Sequence, residues 1–387
     1  MIQRPPGPPT AAPRHSTTAL LASTGGKRVL RPVPSAPGGR PSVTAVIPAH
    51  NYARFLGDCV ASVLGQEHVD VRAIVIDDCS TDGTPYVTAA LSGSDSRVEV
   101  IRHERNRGMI PSVNEGLERV ETEYVVKLDA DDMLAPGALG RATALLDSDP
   151  EIAFVYGRPR HFEAGVPRAG RSATRSWSIW AGREWIARRC RSPGNVISQP
   201  EVVMRTETVR RAAPVRVDLP HTSDLHMWLV LASIGDVGRV NGPVQGYYRV
   251  HPDSMQRTMH TGQLFDLRAR RAAFDAAFAE RAGWLDGAAD LHDTARRALA
   301  SESLVRACHA HDRGRAGRGA DSVEGFIEFA VETWPGAAEL PAWSALARRR
   351  AVGEDRIPPR VSSLAAAATR RARLEARRWW WRRTGEL

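Results

Sequence analysis

Tyr124-Val125-Val126-Lys127-Leu128-Asp129-Ala130-Asp131-Asp132 is an apolar run that ends in three carboxylates within four positions. The run reads as a buried strand, so the carboxylates emerge together from a strand end. Crowded in this way they repel one another unless a cation or hydrogen-bond donors compensate. A hard divalent cation shared with the phosphates of a ligand would do so. A solvated acidic turn, with Asp132 capping the next helix, is the competing reading of the same residues.

Outward from this stretch, short apolar runs alternate with segments of helical spacing. Residues 43–47, 71–76, 98–101, 124–128 and 152–156 read as strands. Phe55, Leu56, Cys59, Val60, Val63 and Leu64 mark one helical face, and residues 84–91, a helix starting near Pro111, and residues 136–146 supply further helices. The alternation predicts an α/β protein with a mostly parallel sheet flanked by helices. In such sheets ligands bind beyond the carboxyl ends of the strands. His50-Asn51, Asp77-Asp78 and the Asp129–Asp132 cluster all fall there. Ser80, Thr81 and Asp82 are placed to cap the helix that follows. After residue 157 the alternation breaks up. A helix from Asp224 to Ile234 stands out, residues 237–250 read as strands interrupted at Gly242-Pro243, and residues 261–347 read as mainly helical.

The net charge of +9 is unevenly spread. Residues 1–42 carry +6 and residues 348–387 carry +8, which leaves the intervening body at −5. A body of that sign is not built to grip a phosphate backbone, so no nucleic-acid partner is expected. Lys27 and Lys127 are the only lysines in a chain otherwise using Arg. Cys59, Cys79, Cys190 and Cys308 stand singly, without zinc or redox spacing, and read as reduced thiols. No apolar run is long enough to span a bilayer, and no signal-peptide layout opens the chain. A cytoplasmic protein is the simplest expectation.

Four regions follow. Residues 1–41 are expected to be a disordered, basic, Pro/Gly-rich leader, residues 42–257 the catalytic domain, residues 258–347 a helical accessory region, and residues 348–387 a basic Arg/Trp-rich tail. Arg beside Trp379-Trp380-Trp381 suits an anionic membrane surface, giving possible peripheral contact at the inner face of a membrane. The alternative is a terminal helix packed on the body or on a second subunit, as in a homo-oligomer.

Six segments in order resemble the family-2 inverting glycosyltransferases of the GT-A fold. They are Val46-Ile47-Pro48-Ala49-His50-Asn51; residues 75–84 around Asp77-Asp78; Asn106-Arg107-Gly108 with Asn114-Glu115-Gly116-Leu117; residues 128–132; Ser223-Asp224-Leu225; and Tyr248-Arg249-Val250-His251. The resemblance implies a nucleotide-sugar donor, an acceptor hydroxyl, and a divalent cation, Mn2+ or Mg2+. It implies that Pro48, His50 and Asn51 line the nucleotide pocket together with Asn106 and Gly108. Asp78, or else Asp77, would contact a uracil-like base, and Asp129 the ribose side. Asp131 and His251 would hold the metal, although His251 also reads as a loop histidine bonded to backbone. Asp224 would be the general base, in a position where the helix dipole favours its ionised form. It also reads simply as an N-terminal helix residue. Two departures from the family pattern are Ser223, where Glu is usual, and Val113, where Arg is frequent; Arg107 is the candidate replacement for the phosphate contact.

Other classes fit less well. A sugar nucleotidyltransferase needs a Gly-rich, Arg-containing loop after the first strand, and a dinucleotide oxidoreductase needs G-x-G-x-x-G; Pro48-Ala49-His50-Asn51-Tyr52-Ala53-Arg54 is neither. A non-catalytic lectin-like or scaffold protein on the same body is the remaining alternative, kept open by Ser223.

Overall fold

The apolar run of residues 43–47 lies in strand β3 (Ser42–Ala49), at the heart of a single mixed sheet. The structure, a computed structural model, describes residues 20–32, 39–168, 170, 172–212, 214–252, 262–313, 321–352 and 376. β4 (Asp70–Asp77), β5 (Val98–Arg102) and β6 (Tyr124–Lys127) join β3 in parallel, in the order β6-β3-β4-β5. Beyond β6 the sheet changes character. β10 (Val203–Arg205) runs antiparallel to both β6 and β8 (Ile152–Phe162), and β8 pairs in parallel with β11 (Asp236–Arg249). β9 (Ser176–Trp180) follows antiparallel to β11, while the short β7 (Met133–Leu134) pairs β11 elsewhere.

Alternation along β3 builds a core on each face of the sheet. Val46 packs with Ile74, Ile76 and Val125 on one face, and Ala45 and Ile47 with Val75 and Val126 on the other. The second face is covered by α1 (Ala53–Leu64), α2 (Thr84–Ser94) and α4 (Ala138–Ser148). The first is covered by α3 (Met109–Glu118), α5 (Gly182–Arg191), α6 (Thr206–Ala212) and α7 (Ser223–Ile234). α8 (Gln263–Arg281) and the start of α9 (Ala288–His311) extend that core. With α10 (Val323–Thr333) and α11 (Pro341–Val352) they also form a helical cluster of their own. Each fully buried aliphatic or aromatic side chain contributes about 1.5–3 kcal/mol, so both faces are needed. No helix among the described residues is long and apolar enough to cross a membrane.

Two expectations need correction. Residues 20–30 do not belong to a disordered leader: β1 (Leu20–Thr24) and β2 (Lys27–Leu30) form a hairpin that extends the sheet through β2–β9 pairing. Arg28 clips it to Asp149 at 2.8 Å and Asp236 at 3.2 Å, and Lys27 lies 5.0 Å over the Trp180 ring. Gly242-Pro243 does not interrupt β11 either; the ladder to β8 shifts register between Arg239 and Val244 while the strand continues. Residues 1–19 and 33–38, and most of the Arg/Trp-rich tail, lie outside the described residues; residues 348–352 continue α11.

α3 approaches the sheet closely because Gly116 faces it. A Cβ there would overlap Val46 and come within 2.9 Å of Ile76 Cδ1. Gly116→Val should therefore destabilise the protein by about 1–3 kcal/mol, read as a lower urea midpoint. An unchanged midpoint would show that the helix can retreat freely.

Candidate functional site

Pro48 sits near the end of a central strand, where a missing N–H is normally costly. It is tolerated because pairing to β6 ends just before it: Leu128 N donates to Val46 O at 3.0 Å, and no ladder partner faces Pro48 on that side. The chain then turns through His50 and Asn51, with Asn51 at φ 61°, a left-handed conformation that Asn tolerates. Asn51 N donates to Ser80 Oγ at 2.9 Å, and Asn51 Oδ1 accepts from Thr81 N at 2.8 Å. His50 Nδ1 donates to the Asp78 carbonyl at 2.7 Å, leaving Nε2 to face the side-chain amides of Asn51 and Asn106 at 3.3 Å each. Asn106 Oδ1 in turn accepts from Gly108 N at 2.9 Å, and Gly108 has the positive φ of 92° that glycine takes without strain. The candidate pocket residues Pro48, His50, Asn51, Asn106 and Gly108 thus share one rim.

Asp77 and Asp78 divide their work. Asp77 is fully buried, accepts from Ser80 N at 3.0 Å, and lies 3.5 Å from Arg102. Asp78 accepts from Arg107 N at 2.8 Å, Gly108 N at 2.7 Å and His103 Nδ1 at 2.7 Å. Burial alone would raise its carboxyl, but these donors outweigh it and hold Asp78 below its ordinary value. His103 Nε2 reaches Glu115 Oε2 at 3.0 Å, and Arg107 Nη1 pairs with the same oxygen at 2.6 Å. Arg107, the candidate phosphate contact, is engaged inside this network, and Val113 is core. Asp82 Oδ1 accepts from Thr84 N at 2.8 Å, as expected of a residue serving the start of α2.

The acidic turn is locked to the end of β11. Arg249 N donates to Asp132 Oδ1 at 2.8 Å, and Arg249 Nε donates to the Asp131 carbonyl at 2.8 Å. The Arg249 guanidinium lies 4.5 Å from the Phe55 and Phe162 ring centres. Two residues on, His251 Nε2 meets Asp131 Oδ2 at 2.9 Å, its ring 5.0 Å from Phe55. Asp129 pairs with Lys127 Nζ at 2.8 Å. These contacts exclude Asp132 as a helix cap and His251 as a histidine bonded only to backbone. Burial, then the neighbouring Asp131 and Asp129, drives the Asp132 carboxyl well above its ordinary value. Burial, then Asp129, raises Asp131, and His251 opposes the rise. Asp132 Oδ2 and His251 Nδ1 are buried without a hydrogen-bond partner among the described residues. Excess buried negative charge and an orphaned carboxylate oxygen fit a cation at this turn. No group of three or more His, Cys, Asp or Glu side chains converges on one point among the described residues. Phosphate and water oxygens would have to complete the shell, as a hard cation that keeps substrate phosphates as ligands allows.

Asp224 lies in the first turn of α7 and is half-buried. Its Oδ1 accepts from Leu225 N at 2.7 Å and its Oδ2 from Asn195 Nδ2 at 2.7 Å. The helix-dipole expectation is overruled: burial raises the Asp224 carboxyl, and the Leu225 N–H, Lys127 and His221 offset this only in part. Burial, then Asp132, Asp129, Asp131 and Asp224, raises the Tyr248 phenol, so it feels both the acidic turn and Asp224.

Four residues at the site escaped the sequence reading of roles: Lys127, His103, Asn195 and Glu201. Lys127 had a signal, as one of two lysines amid abundant Arg. Glu201 had none. It is 2% exposed, accepts from Ser198 N at 2.9 Å, and has no hydrogen-bond partner at Oε2 among the described residues.

Residues 44–207 match the sequence profile of glycosyl transferase family 2. The match covers less than half of the chain. TuaG of Bacillus subtilis, named for a glycosyltransferase role in teichuronic acid biosynthesis, is 39% identical over 93 residues, covering 24% of this chain and 37% of that protein. The succinoglycan biosynthesis protein ExoO of Rhizobium meliloti is 38% identical over 108 residues, 28% of this chain and 30% of that one. The chain thus spans about a third of the length of these relatives. Among solved structures, S. aureus TarS 1-349 in complex with UDP aligns with a TM-score of 0.52 at 15% identity, covering 81% of this chain and 88% of that one. The mannosyltransferase PcManGT of Pyrobaculum calidifontis, in complex with GDP-Man and Mn2+, aligns with a TM-score of 0.50 at 19% identity, covering 87% and 86%. At such identities the likeness is one of fold, and the chain has the GT-A architecture expected of it.

Burial pushes the Glu201 carboxyl from 4.5 up to about 7, with Asp224 adding to the rise and Arg239 opposing it. The folded state then holds a proton that the unfolded chain has released, so stability falls as pH rises from about 5 to above 7. Glu201→Gln should flatten that fall and be about 2–3 kcal/mol more stable than wild type at pH 8. Urea denaturation at several pH values measures it; parallel pH profiles for the two proteins would contradict the assignment.

Proposed function

We propose that the chain is a glycosyltransferase that moves a sugar from a nucleotide-diphosphate donor to an acceptor hydroxyl, with inversion at the anomeric carbon and with help from a divalent cation. The observation that carries this reading is the pairing of Asp131 with His251 at 2.9 Å in a turn with an orphaned Asp132 oxygen, within electrostatic reach of the same Tyr248 as Asp224.

Asp131 and His251 would hold Mn2+ or Mg2+, with Asp129 toward the ribose. A cation there neutralises charge on the departing diphosphate. The rim of Pro48, His50, Asn51, Asn106 and Gly108 would receive the nucleoside. Asp78 keeps acceptor capacity beyond the three N–H groups that hold it, which suits an imide N–H of a uracil ring; Asp77, fully buried, is less suited. A UDP-linked donor is our choice, supported by the fold shared with TarS, which binds UDP, while GDP-Man in PcManGT supplies the competing donor to test.

Asp224 takes the proton of the acceptor hydroxyl as that oxygen attacks the anomeric carbon. The bond from that carbon to the diphosphate oxygen breaks on the opposite side, so the configuration inverts. Burial that raises Asp224 brings its proton affinity closer to what a base needs near neutral pH. Ser223, where Glu is usual in the family, is buried.

Asp131→Ala should abolish Mn2+-stimulated hydrolysis of the preferred sugar among UDP- and GDP-sugars. Asp224→Asn should leave donor binding nearly intact and lower turnover by about 10²–10⁴-fold. Metal-stimulated hydrolysis that persists in Asp131→Ala would sink the metal assignment. Lost donor binding with residual turnover in Asp224→Asn would sink the base assignment.

A further inference from the structure

Residues 192–202 form a loop between α5 and β10 that carries Asn195 to the Asp224 carboxylate. Asn195 is exposed, yet its place is fixed from both sides. Arg270 Nη1 donates to the Pro193 carbonyl at 3.2 Å, and Arg189 Nη1 to the Gly194 carbonyl at 3.4 Å. Both guanidinium residues are buried, and Arg270 is itself held by a two-pronged pair with Glu302 at 2.9 and 3.0 Å. Beyond Asn195, Val196 and Ile197 are buried in the core. An exposed polar side chain on so constrained a backbone has little freedom left to lose.

The orientation of its amide is also determined. Asn195 Oδ1 accepts from Ile197 N at 3.1 Å, which leaves the NH2 group toward Asp224, where Nδ2 donates to Oδ2 at 2.7 Å. The other Asp224 oxygen is held by Leu225 N, within the same residue's own turn. Asn195 is therefore the side chain that ties the carboxylate to a second part of the protein.

We propose that Asn195 is a positioning residue for Asp224, fixing the carboxylate in the orientation that meets the acceptor hydroxyl. This rests on the reading of Asp224 as the base. A base held in one orientation avoids the loss of rate that follows small misplacements. A hydrogen bond donated to a carboxylate also favours its ionised form. That matters here because the surroundings work against ionisation. Burial and Asp129, from the acidic turn, raise Asp224, and Glu201 lies on the same loop as Asn195. Lys127 from β6 and His221 from the turn before α7 act in the opposite sense, while Tyr248 faces in from β11. Asn195 adds a neutral donor on the stabilising side without bringing a charge to the acceptor's path.

Two substitutions separate positioning from mere support of the loop. Asn195→Asp retains an oxygen for Ile197 N, so the turn is kept, but it replaces the donor with a second carboxylate. Asn195→Ala removes both functions. Initial rates of donor hydrolysis by the full chain are measured across pH with Mn2+, using the UDP- or GDP-sugar it turns over fastest. Both variants should lose about 10- to 100-fold in kcat with donor KM unchanged, and the acid limb of kcat should move to higher pH. Wild-type kcat and an unmoved acid limb in Asn195→Asp would overturn the proposal. A loss of kcat with the acid limb in place, as a loosened loop would give, would overturn it too. Asp224→Asn, assayed alongside, separates the two readings. If it is inactive while Asn195→Asp behaves as wild type, the Asn195 inference alone fails; if it turns over normally, the base assignment fails.

Discussion

The clamp between the acidic turn after β6 and the last residues of β11 is the contact on which the site depends. Asp132 is buried, with Asp131 and Asp129 half-buried beside it, and carboxylates so placed repel one another. An unsatisfied buried charge-bearing group costs about 1–3 kcal/mol or more. Arg249 answers this twice through backbone and side chain, and His251 once through its ring. The guanidinium is held in turn by Phe55 of α1 and Phe162 of β8, elements far apart in the sequence.

The same arrangement explains why the sheet changes direction. Four parallel strands bring His50, Asp77-Asp78 and Asp129 to one edge, as parallel topology requires. β11 must reach that edge from the other half, and it does so parallel to β8, over fourteen residues. β10 fills the gap between the halves, antiparallel to its neighbours on both sides. The loop before β10 then passes the start of α7, and this is how Asn195 and Glu201 come to stand near Asp224. Residual charge is not cancelled everywhere: Asp132 and Glu201 each keep a buried oxygen without a hydrogen-bond partner among the described residues. A polar site held ready for ligand carries such strain as the cost of its chemistry.

Much of this was legible from residue pattern. Residues 43–47, 71–76, 98–101 and 124–128 read as strands because each is a short, mainly apolar run; the first is buried on both faces, while Glu99 on the edge strand is exposed. Asp224 could be placed at a helix start because apolar spacing begins right after it. The hairpin at residues 20–30 was not legible: Leu20, Leu21 and Ala22 are exposed at a sheet edge, so no inward-outward alternation marks them. Its stability comes from distant partners, Asp149, Asp236 and Trp180, which local sequence cannot show. Asn195 and Glu201 were hidden for a similar reason. They lie in a Pro- and Gly-containing loop whose polar residues look solvated, and only the buried Arg189 and Arg270 beneath it reveal otherwise. The expected dipole effect on Asp224 failed because burial of the carboxyl outweighs the helix terminus.

The central claim is that the clamped turn holds a cation together with a nucleoside diphosphate. Calorimetric titration of UDP into the full chain, once with Mn2+ and once with a chelator, addresses it most directly. The account predicts that Mn2+ tightens UDP binding by roughly tenfold or more, and that His251→Ala loses this gain while still binding UDP weakly. UDP binding of equal strength with and without the metal would contradict it.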